Sequence, residues 1–235
     1  MIVGDGQMAL VLAEMLAETC GASRVSILSP FEAAARALHD TRRSPRLPGF
    51  ELPAGIEVSA DAALLSGADL VVCAIPTQYI RATFGRLAHA LPAGVPVASV
   101  SKGIELETFR LPCDILGEVA PGRPLAALSG PTIAAELARR LPAVLVSASA
   151  DAAVAERVQA AFTTPWTRIY LSSDLAGVEL AGACKNVIAI AAGVVDGMGL
   201  GMNTKSALLA RGLAEIARIG VALGGRLETF FGVAG

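Results

Sequence analysis

The feature that most constrains the fold of this chain is the alternation of short apolar segments with helix-like segments from residue 1 to about residue 173. Several apolar segments are continuous, as at ADLVVCAIP (residues 68–76), and such runs are typical of parallel strands buried on both faces. Parallel strands need long crossovers, which are usually helices. The alternation therefore predicts an α/β fold with a doubly wound, Rossmann-type sheet.

The elements can be placed along this alternation. The predicted strands are Met1–Val3, Val25–Leu28, Ile56–Val58, Asp69–Ile75, Val95–Val100, Leu125–Leu128, Ala143–Ser147 and Trp166–Leu171. The predicted helices are one that ends at Gly21, followed by Ala60–Leu65, Tyr79–Leu91, Leu111–Val119, Ile133–Arg140 and Asp151–Phe162. Thr132, with Glu136 in the following turn, is a predicted N-cap.

A glycine-rich turn follows the first apolar segment. The sequence GDGQMA (residues 4–9) has the spacing G-x-G-x-x-A, and between a strand and a helix this spacing is typical of dinucleotide-binding sites. Gly4 allows the tight turn, Gly6 lets the backbone approach a pyrophosphate, and Ala9 permits close packing of the helix on the strand. Since amides at a helix N-terminus bind phosphates, the turn predicts NAD or NADP as cofactor.

The choice between NAD and NADP stays open in the sequence. An acidic residue at the end of the second strand would favour NAD, but that strand ends in Leu28-Ser29-Pro30. Ser29 is compatible with either cofactor. A 2′-phosphate could meet a nearby arginine, and the candidates are Arg36, Arg42 and Arg43.

Strands stop after Ser172-Ser173-Asp174, a sequence typical of a helix N-cap. Helices are predicted at Leu175–Val194 and Thr204–Leu223, with a glycine-rich turn at Asp196–Gly201. Asn203 and Thr204 are interpreted as caps of the last long helix. The change of pattern predicts two domains, a dinucleotide-binding domain at 1–173 and a helical substrate or catalytic domain at 174–235.

One lysine interrupts the apolar stretch Val178–Gly201. Desolvation there would lower the pKa of Lys185 and make its amine a usable proton donor or acceptor, although a lysine can also extend its ammonium to water. Of 19 basic residues only Lys102, Lys185 and Lys205 are lysines, which makes each a candidate for chemistry that needs a compact, titratable ammonium. For Lys205 we favour the simpler interpretation of a lysine in the first turn of a helix.

Composition excludes several classes of function. The net charge is −2 without a basic block, so nucleic-acid binding is not expected. The 4 cysteines form no CxxC and predict neither a disulfide framework nor a metal site. No unbroken apolar run approaches the roughly 18 residues of a membrane span, and no signal peptide precedes the first strand. These patterns predict a soluble, cytoplasmic protein without an integral membrane segment.

Six segments, in this order, resemble the NAD(P)-dependent glycerol-3-phosphate dehydrogenases of bacteria. They are GDGQMALVLA, RLPGFELPAGI, AIPTQYIR, SKGIE, LSGPTIAAELA and the stretch from GACKNVIAIAAG to ARIGVALGG. The resemblance implies an oxidoreductase that interconverts sn-glycerol 3-phosphate and dihydroxyacetone phosphate and supplies glycerol 3-phosphate for phospholipid synthesis. It also implies a homodimer.

The resemblance implies roles for particular residues. Lys185 is the implied catalytic acid and base, and Lys102 an implied catalytic residue that contacts both substrate and cofactor. Implied substrate contacts also include Gly130, Thr132 and Asn186. The cofactor contacts that it implies are Gln7, Met8, Lys102 and Ala134. They add to Gly4 and Gly6 of the glycine turn and to Ser29 at the end of the second strand.

The resemblance ends in TFFGVAG (residues 229–235), before the aspartate and the Ser-Arg-Asn segment with which the family binds the substrate phosphate. We therefore expect a chain truncated at its C-terminus. Two alternatives remain at this point. One is a related reductase of another short hydroxy acid, and the other is a non-catalytic nucleotide-binding or dimerisation module.

Overall fold

A single eight-stranded sheet organises the chain in the computed structural model, which describes residues 1–234. Gly235, the last residue of the expected second domain, lies outside the described residues. The strands are β1 (Ile2–Val3), β2 (Ser26–Leu28), β3 (Glu57–Ser59), β4 (Val71–Cys73), β5 (Val97–Ser99), β6 (Leu125–Ser129), β7 (Ala143–Ala148) and β8 (Thr167–Ser172). They lie in the order β3-β2-β1-β4-β5-β6-β7-β8. The doubly wound sheet is thus confirmed, and its switch point lies between β1 and β4.

One pair of strands departs from the parallel arrangement. Strands β1 to β6 are parallel, whereas β7 runs antiparallel to β6 and β8 runs parallel to β7. The carboxyl ends of β1 to β6 therefore share one edge of the sheet, and those of β7 and β8 lie at the opposite edge. The apolar pattern could not predict this reversal, because a buried strand reads the same in either direction.

The helices cover both faces of the sheet and then form the C-terminal part of the described chain. They are α1 (Gln7–Cys20), α2 (Glu32–Thr41), α3 (Ile80–Leu87), α4 (Pro112–Val119), α5 (Ala134–Leu137), α6 (Ala152–Phe162), α7 (Leu175–Gly197), α8 (Gly201–Ala222) and α9 (Leu227–Phe230). The sequence did not predict α2, and the segment expected at Ala60–Leu65 is a 3₁₀ helix at Ala62–Gly67. Strands β4 and β5 are much shorter than predicted, at three residues each, whereas β6 and β7 are each one residue longer.

Two predicted caps are wrong. Helix α5 is capped by Ile133 rather than by Thr132, whose hydroxyl donates a 3.4 Å hydrogen bond to the Gly130 carbonyl. Helix α8 starts at Gly201, so Asn203 and Thr204 lie inside it, and the Thr204 hydroxyl bonds back to the Leu200 carbonyl at 3.0 Å. A threonine hydroxyl can bond the backbone inside a helix, in a loop or at a cap. Residue type alone therefore does not determine where the helix begins.

Helix α7 starts at a cap that the sequence does predict. The Asp174 carboxylate accepts hydrogen bonds from the Gly177 amide at 2.9 Å, the Arg226 amide at 2.8 Å and the Thr229 hydroxyl at 2.6 Å. Burial tends to raise the pKa of this carboxyl, but the hydrogen bonds outweigh burial and hold the pKa below its ordinary value. Asp174 therefore ties the start of α7 to α9.

The first turns of α7 are buried against β6 and β7, whereas much of its second half is exposed. Helix α8 folds back along α7, and a Cβ at Gly212 would lie 2.6 Å from Cδ1 of Ile188, which shows how closely the two helices approach. By length and composition α7 could cross a membrane, as core helices of soluble proteins also could. The expectation that no segment reaches that length counted only unbroken apolar runs and overlooked a helix with a single lysine near its middle.

Candidate active site

The glycine turn connects β1 to α1 at the switch point of the sheet. Gly4 has φ +125°, and a Cβ there would lie 2.4 Å from the Ala74 carbonyl oxygen, so the turn requires glycine. A Cβ at Gly6 would meet no described atom within 4 Å. Gly6 precedes the first turn of α1 without a side-chain cap, which leaves backbone amides free for a phosphate. Gln7 is exposed and Met8 half-buried at the start of α1.

Ser29 lies at the carboxyl end of β2, and it is buried. Its hydroxyl donates to the Asp5 carboxylate at 2.7 Å, and Asp5 also forms an ion pair with Arg46. The Gln7 side-chain amide in turn donates to the Arg46 carbonyl. Neither Asp5 nor Arg46 was predicted from the sequence. Asp5 was visible as a charged residue between the two glycines, but its pairing with a residue 41 positions later was not.

Lys185 lies where α7 passes the carboxyl end of β6. Its ammonium donates a 2.9 Å hydrogen bond to the Gly130 carbonyl. Burial is the main cause that lowers the pKa of Lys185 to about 8, and the charge of Lys102 lowers it further. At neutral pH this amine is close to the balance between acid and base that proton transfer needs.

Lys102 extends from the loop after β5 towards α7. A Cβ at Gly182, one turn before Lys185, would lie 3.7 Å from Cγ of Lys102, so the two lysines approach the same stretch of the helix. Burial lowers the pKa of Lys102. Two ammonium groups in one partly buried place make a site of strongly positive potential, which suits an anionic substrate.

Side chains that follow β4 fix the position of the loop that carries Lys102. The Gln78 side chain donates to the Ile104 carbonyl at 2.8 Å and accepts from the Leu106 amide at 3.0 Å. Glu105 is buried and bonds Arg81 through two nitrogens, at 2.8 Å and 3.0 Å. These contacts lie between the AIPTQYIR and SKGIE segments, whose connection is not readable from either segment alone.

Two of the remaining predicted substrate contacts, Gly130 and Thr132, lie in the loop after β6. A Cβ at Gly130 would lie 2.5 Å from the Val144 carbonyl, so β7 passes too close for any side chain there. Thr132 is half-buried, Ala134 is buried, and Asn186 is exposed on α7 next to Lys185. Lys205 stands apart from this group, because its ammonium pairs with Asp196 at 2.7 Å.

Glu179 on α7 is a further buried carboxylate that the sequence analysis did not single out. It accepts a 2.9 Å hydrogen bond from the Cys113 amide in the first turn of α4. Burial raises the pKa of Glu179 to about 7. Glu179 therefore fastens α7 to α4 between the cap at Asp174 and the amine of Lys185.

Two buried hydroxyls support the interpretation of this edge as a ligand site. Within residues 1–234 the Oγ1 of Thr77 and the Oγ of Ser129 have no hydrogen-bond partner. Thr77 follows β4, and Ser129 is the last residue of β6. Both lie on the edge of the sheet that carries Lys102 and the glycine turn. Buried polar atoms without partners are rare in native proteins. Together with the open backbone at Gly6, they fit a dinucleotide and a polar substrate bound along this edge.

A mostly parallel sheet of this order, with a glycine turn at its switch point and a helical segment after the last strand, defines a two-domain NAD(P)-dependent dehydrogenase. Two family models match the chain, that of the NAD-dependent glycerol-3-phosphate dehydrogenase N-terminus over residues 1–155 and that of the C-terminus over residues 174–235. The chain therefore belongs to the NAD-dependent glycerol-3-phosphate dehydrogenase family, and it is an enzyme that uses NAD or NADP.

Individual relatives agree with this assignment. Proteins named glycerol-3-phosphate dehydrogenase (NAD(P)+) from Geobacter sp. (strain M21) and Moorella thermoacetica are 42% and 43% identical to this chain. Both alignments cover all of this chain, and they cover 71% and 70% of the relatives. The crystal structure of glycerol-3-phosphate dehydrogenase from Coxiella burnetii is 30% identical with a TM-score of 0.93, over 100% of this chain and 72% of that one.

Proposed function

We propose that this enzyme interconverts sn-glycerol 3-phosphate and dihydroxyacetone phosphate by hydride transfer with NAD or NADP. The names of its relatives support this substrate pair. The observation that carries the proposal is the amine of Lys185, which lies 2.9 Å from the Gly130 carbonyl with a pKa of about 8 and has Lys102 nearby. A carbonyl reduction needs a proton donor at such a place.

The reduced dinucleotide, when bound, would supply a hydride to the substrate carbonyl carbon. Lys185 in its ammonium form donates a proton to the carbonyl oxygen, and in the reverse direction its free amine accepts the hydroxyl proton. Lys102 stabilises the negative charge that develops on that oxygen. The Gly130 carbonyl accepts from Lys185 before the substrate arrives and so holds the amine in place.

The remaining site residues are part of the same proposal. Gly130, Thr132 and Asn186 contact the substrate together with the two lysines. The residues proposed to contact the dinucleotide are Gly4, Gly6, Gln7, Met8, Ser29, Lys102 and Ala134. The unpartnered hydroxyls of Thr77 and Ser129 are supporting observations for ligands along this edge.

The proposal is tested by following the oxidation of NADH and of NADPH with three substrates. Dihydroxyacetone phosphate is expected to be reduced. Unphosphorylated dihydroxyacetone and a short 2-keto acid serve as matched controls and are expected to react far more slowly. Equal rates with the 2-keto acid would favour the related reductase of another hydroxy acid, and cofactor binding without any turnover would favour a non-catalytic module.

We further propose that the enzyme is a cytoplasmic homodimer that supplies glycerol 3-phosphate for phospholipid synthesis, and that its two domains meet at residue 173. The last strand ends at Ser172 and α7 starts at Leu175, which supports this division. Exposed apolar side chains on the second half of α7, among them Val187 and Ile190, support self-association. Light scattering during size-exclusion chromatography tests the dimer, since a monomeric mass would contradict it.

A further inference from the structure

The carboxylate of Asp5 occupies an unusual place in the glycine turn. Val3 of β1 pairs with Leu28 of β2, so the residues that follow these two strands meet at the same edge of the sheet. There the Asp5 carboxylate accepts from the Ser29 hydroxyl at 2.7 Å and pairs with Arg46. The Asp5 side chain is 9% exposed, whereas that of Arg46 is 47% exposed.

In dinucleotide-binding folds, the ribose of the adenosine half binds at this place, where β1 and β2 end. In such folds an acidic residue at the end of β2 binds the ribose hydroxyls of NAD, and a nearby arginine accommodates the 2′-phosphate of NADP. Strand β2 ends without an acid. Asp5 nevertheless brings a carboxylate to the same corner from the neighbouring strand, through its contact with Ser29.

Each of the three arginines considered for a 2′-phosphate already has a partner within its own region. Arg36 pairs with Glu32 at 3.2 Å, and Arg43 pairs with Glu51 at 2.9 Å. Arg42 is folded into its own loop, where its guanidinium donates to the Ile56 carbonyl at 3.0 Å and to two further backbone carbonyls. None of the three arginines that the sequence analysis considered for a 2′-phosphate is therefore without a competing partner.

We propose that Asp5, oriented by Ser29 and Arg46, makes this enzyme prefer NAD over NADP and takes the place of the acidic residue missing from the end of β2. A 2′-phosphate would bring a dianion beside a buried carboxylate. Like charges placed side by side in a partly buried site disfavour binding strongly. The ribose hydroxyls of NAD, by contrast, can hydrogen-bond to Ser29 and to the carboxylate.

Arg46 is the group that could reverse this preference, and its contacts argue against that role. Its guanidinium also donates to the Asp5 carbonyl at 3.3 Å, and its own carbonyl accepts from Gln7. Turning Arg46 towards a phosphate would leave the Asp5 carboxylate buried without its charged partner, which is strongly unfavourable. Arg46 thus neutralises Asp5 rather than the ligand.

The adjacent cavity fits the adenine half of the ligand. Ser29 lines a cavity of about 250 Å³ together with Leu28, Pro30, Thr83, Arg86 and Leu87. The lining is largely apolar and the cavity lies beside the end of β2. Both properties suit the binding of a flat adenine base. Arg86 approaches this cavity from α3, so we expect it to contact the base of either dinucleotide and not to distinguish between them.

The inference rests on the dinucleotide binding of the proposed function, and binding alone can test it. The probes are ADP-ribose and 2′-phospho-ADP-ribose, titrated calorimetrically into the protein without substrate. We expect the wild-type protein to bind ADP-ribose at least about tenfold more tightly. Asp5→Asn, which keeps the side-chain shape and removes the charge, should reduce this ratio by about tenfold or more.

Further variants keep the test independent of a folding defect in Asp5→Asn. Arg46→Met should increase the ratio, because it leaves the carboxylate uncompensated. Glu57→Gln removes an exposed acid of β3 that forms no ion pair within residues 1–234, and it should leave the ratio unchanged. Arg86→Ala should weaken both probes equally. A wild-type preference for 2′-phospho-ADP-ribose would overturn the inference, as would an unchanged ratio in a folded Asp5→Asn.

The two proposals fail in different ways. If both probes bind with the expected ratio but dihydroxyacetone phosphate is not reduced, the proposed reaction fails and the role of Asp5 stands. If dihydroxyacetone phosphate is reduced equally well with NADH and NADPH, and the two probes bind equally, the reaction stands and the role of Asp5 is refuted.

Discussion

Lys185 combines three properties that rarely occur in one residue: an apolar helix around it, a second ammonium nearby and a single backbone carbonyl as partner. We expect Lys185→Ala to lower kcat for dihydroxyacetone phosphate by about 10²–10⁴-fold, the range that general acid catalysis contributes. The dissociation constant for NADH should change little, because the amine acts on the substrate carbonyl. Lys205→Ala is the matched control, and an equal loss of kcat in both variants would contradict this role of Lys185.

The pKa of Lys185, about 8, gives the two reaction directions opposite pH dependence. Reduction needs the ammonium, so its kcat should be constant at neutral pH and fall as the pH rises through about 8. Oxidation needs the free amine and should rise over the same range. In Lys102→Met the midpoint should move upward, because the charge that lowers the pKa is gone. Parallel pH profiles for the two directions would argue against a shared lysine.

Single residues were predictable where they break a local pattern. Lys185 and Lys102 stood out as lysines in an arginine-rich chain, and the structure brings both to one stretch of α7. The contacts of Asp5, Gln78 and Glu179 were not predictable, because each joins segments far apart in the sequence. Hydrogen bonds of that kind depend on the register of neighbouring strands, which a single sequence does not specify.

At the scale of elements, the packing of α7 on the sheet depends on a small residue. A Cβ at Gly182 would lie 2.8 Å from the Ser129 Oγ, so Gly182→Ala should push α7 away from β6 and lower both Tm and kcat. Adding Ser129→Ala should restore part of Tm. Gly193→Ala in the same helix has no described atom within 4 Å of the new methyl group and should stabilise by up to about 1 kcal/mol.

The cap at Asp174 joins α7 to α9, and its strength should depend on pH. Asp174→Asn is expected to lower the free energy of unfolding by about 1–3 kcal/mol at neutral pH, because it misdirects three hydrogen bonds. The folded-state pKa of Asp174 is lowered, so this advantage is present above the ordinary value of 3.8 and is lost as the pH falls below it. Denaturant titrations at several pH values measure the difference.

A control defines the scale for that experiment. Asp196→Asn removes the partner of Lys205 at an exposed place, where an ion pair contributes about 0–1 kcal/mol. A loss as large as that of Asp174→Asn would show that charge alone, and not the cap geometry, explains the effect.

Elements were easier to predict than their ends. The cap at Asp174 followed from the sequence, whereas Thr132 and Thr204 were misplaced because a hydroxyl can bond the backbone inside a helix, in a loop or at a cap. The segment Ile133–Arg140 forms only the four helical residues Ala134–Leu137. The length of a short helix between a glycine loop and an inner strand such as β7 is decided by tertiary contacts rather than by propensity.

At the scale of the whole molecule, the reactivity of the cysteines measures how often the folded core opens. Burial raises the pKa of Cys73 to about 12, and burial and Glu179 also raise that of Cys113. Alkylation by iodoacetamide at neutral pH should therefore modify exposed Cys20 first and reach Cys73 and Cys113 only when the core opens. Peptide mass spectrometry over time measures the order, and rapid labelling of Cys73 would contradict a closed core.

The doubly wound sheet was predictable because it follows from a local sequence pattern, namely continuous apolar segments separated by helical segments. The antiparallel position of β7 was not, since strand direction depends on how the chain crosses between elements. The helical segment after the last strand was anticipated for a similar local reason, namely the end of the short apolar runs.

The reversal between β6 and β7 constrains the lengths of the elements that follow it. Because β8 carries the backbone to the far edge of the sheet, α7 must travel back across β6 and β7 before Lys185 can reach Gly130. A strand advances about 3.3 Å per residue and a helix about 1.5 Å, so roughly two helical residues retrace one strand residue. One residue inserted between Asp174 and Lys185 would also rotate the lysine by about 100° around the helix axis. The lengths of β8 and of the first half of α7 can therefore change only together.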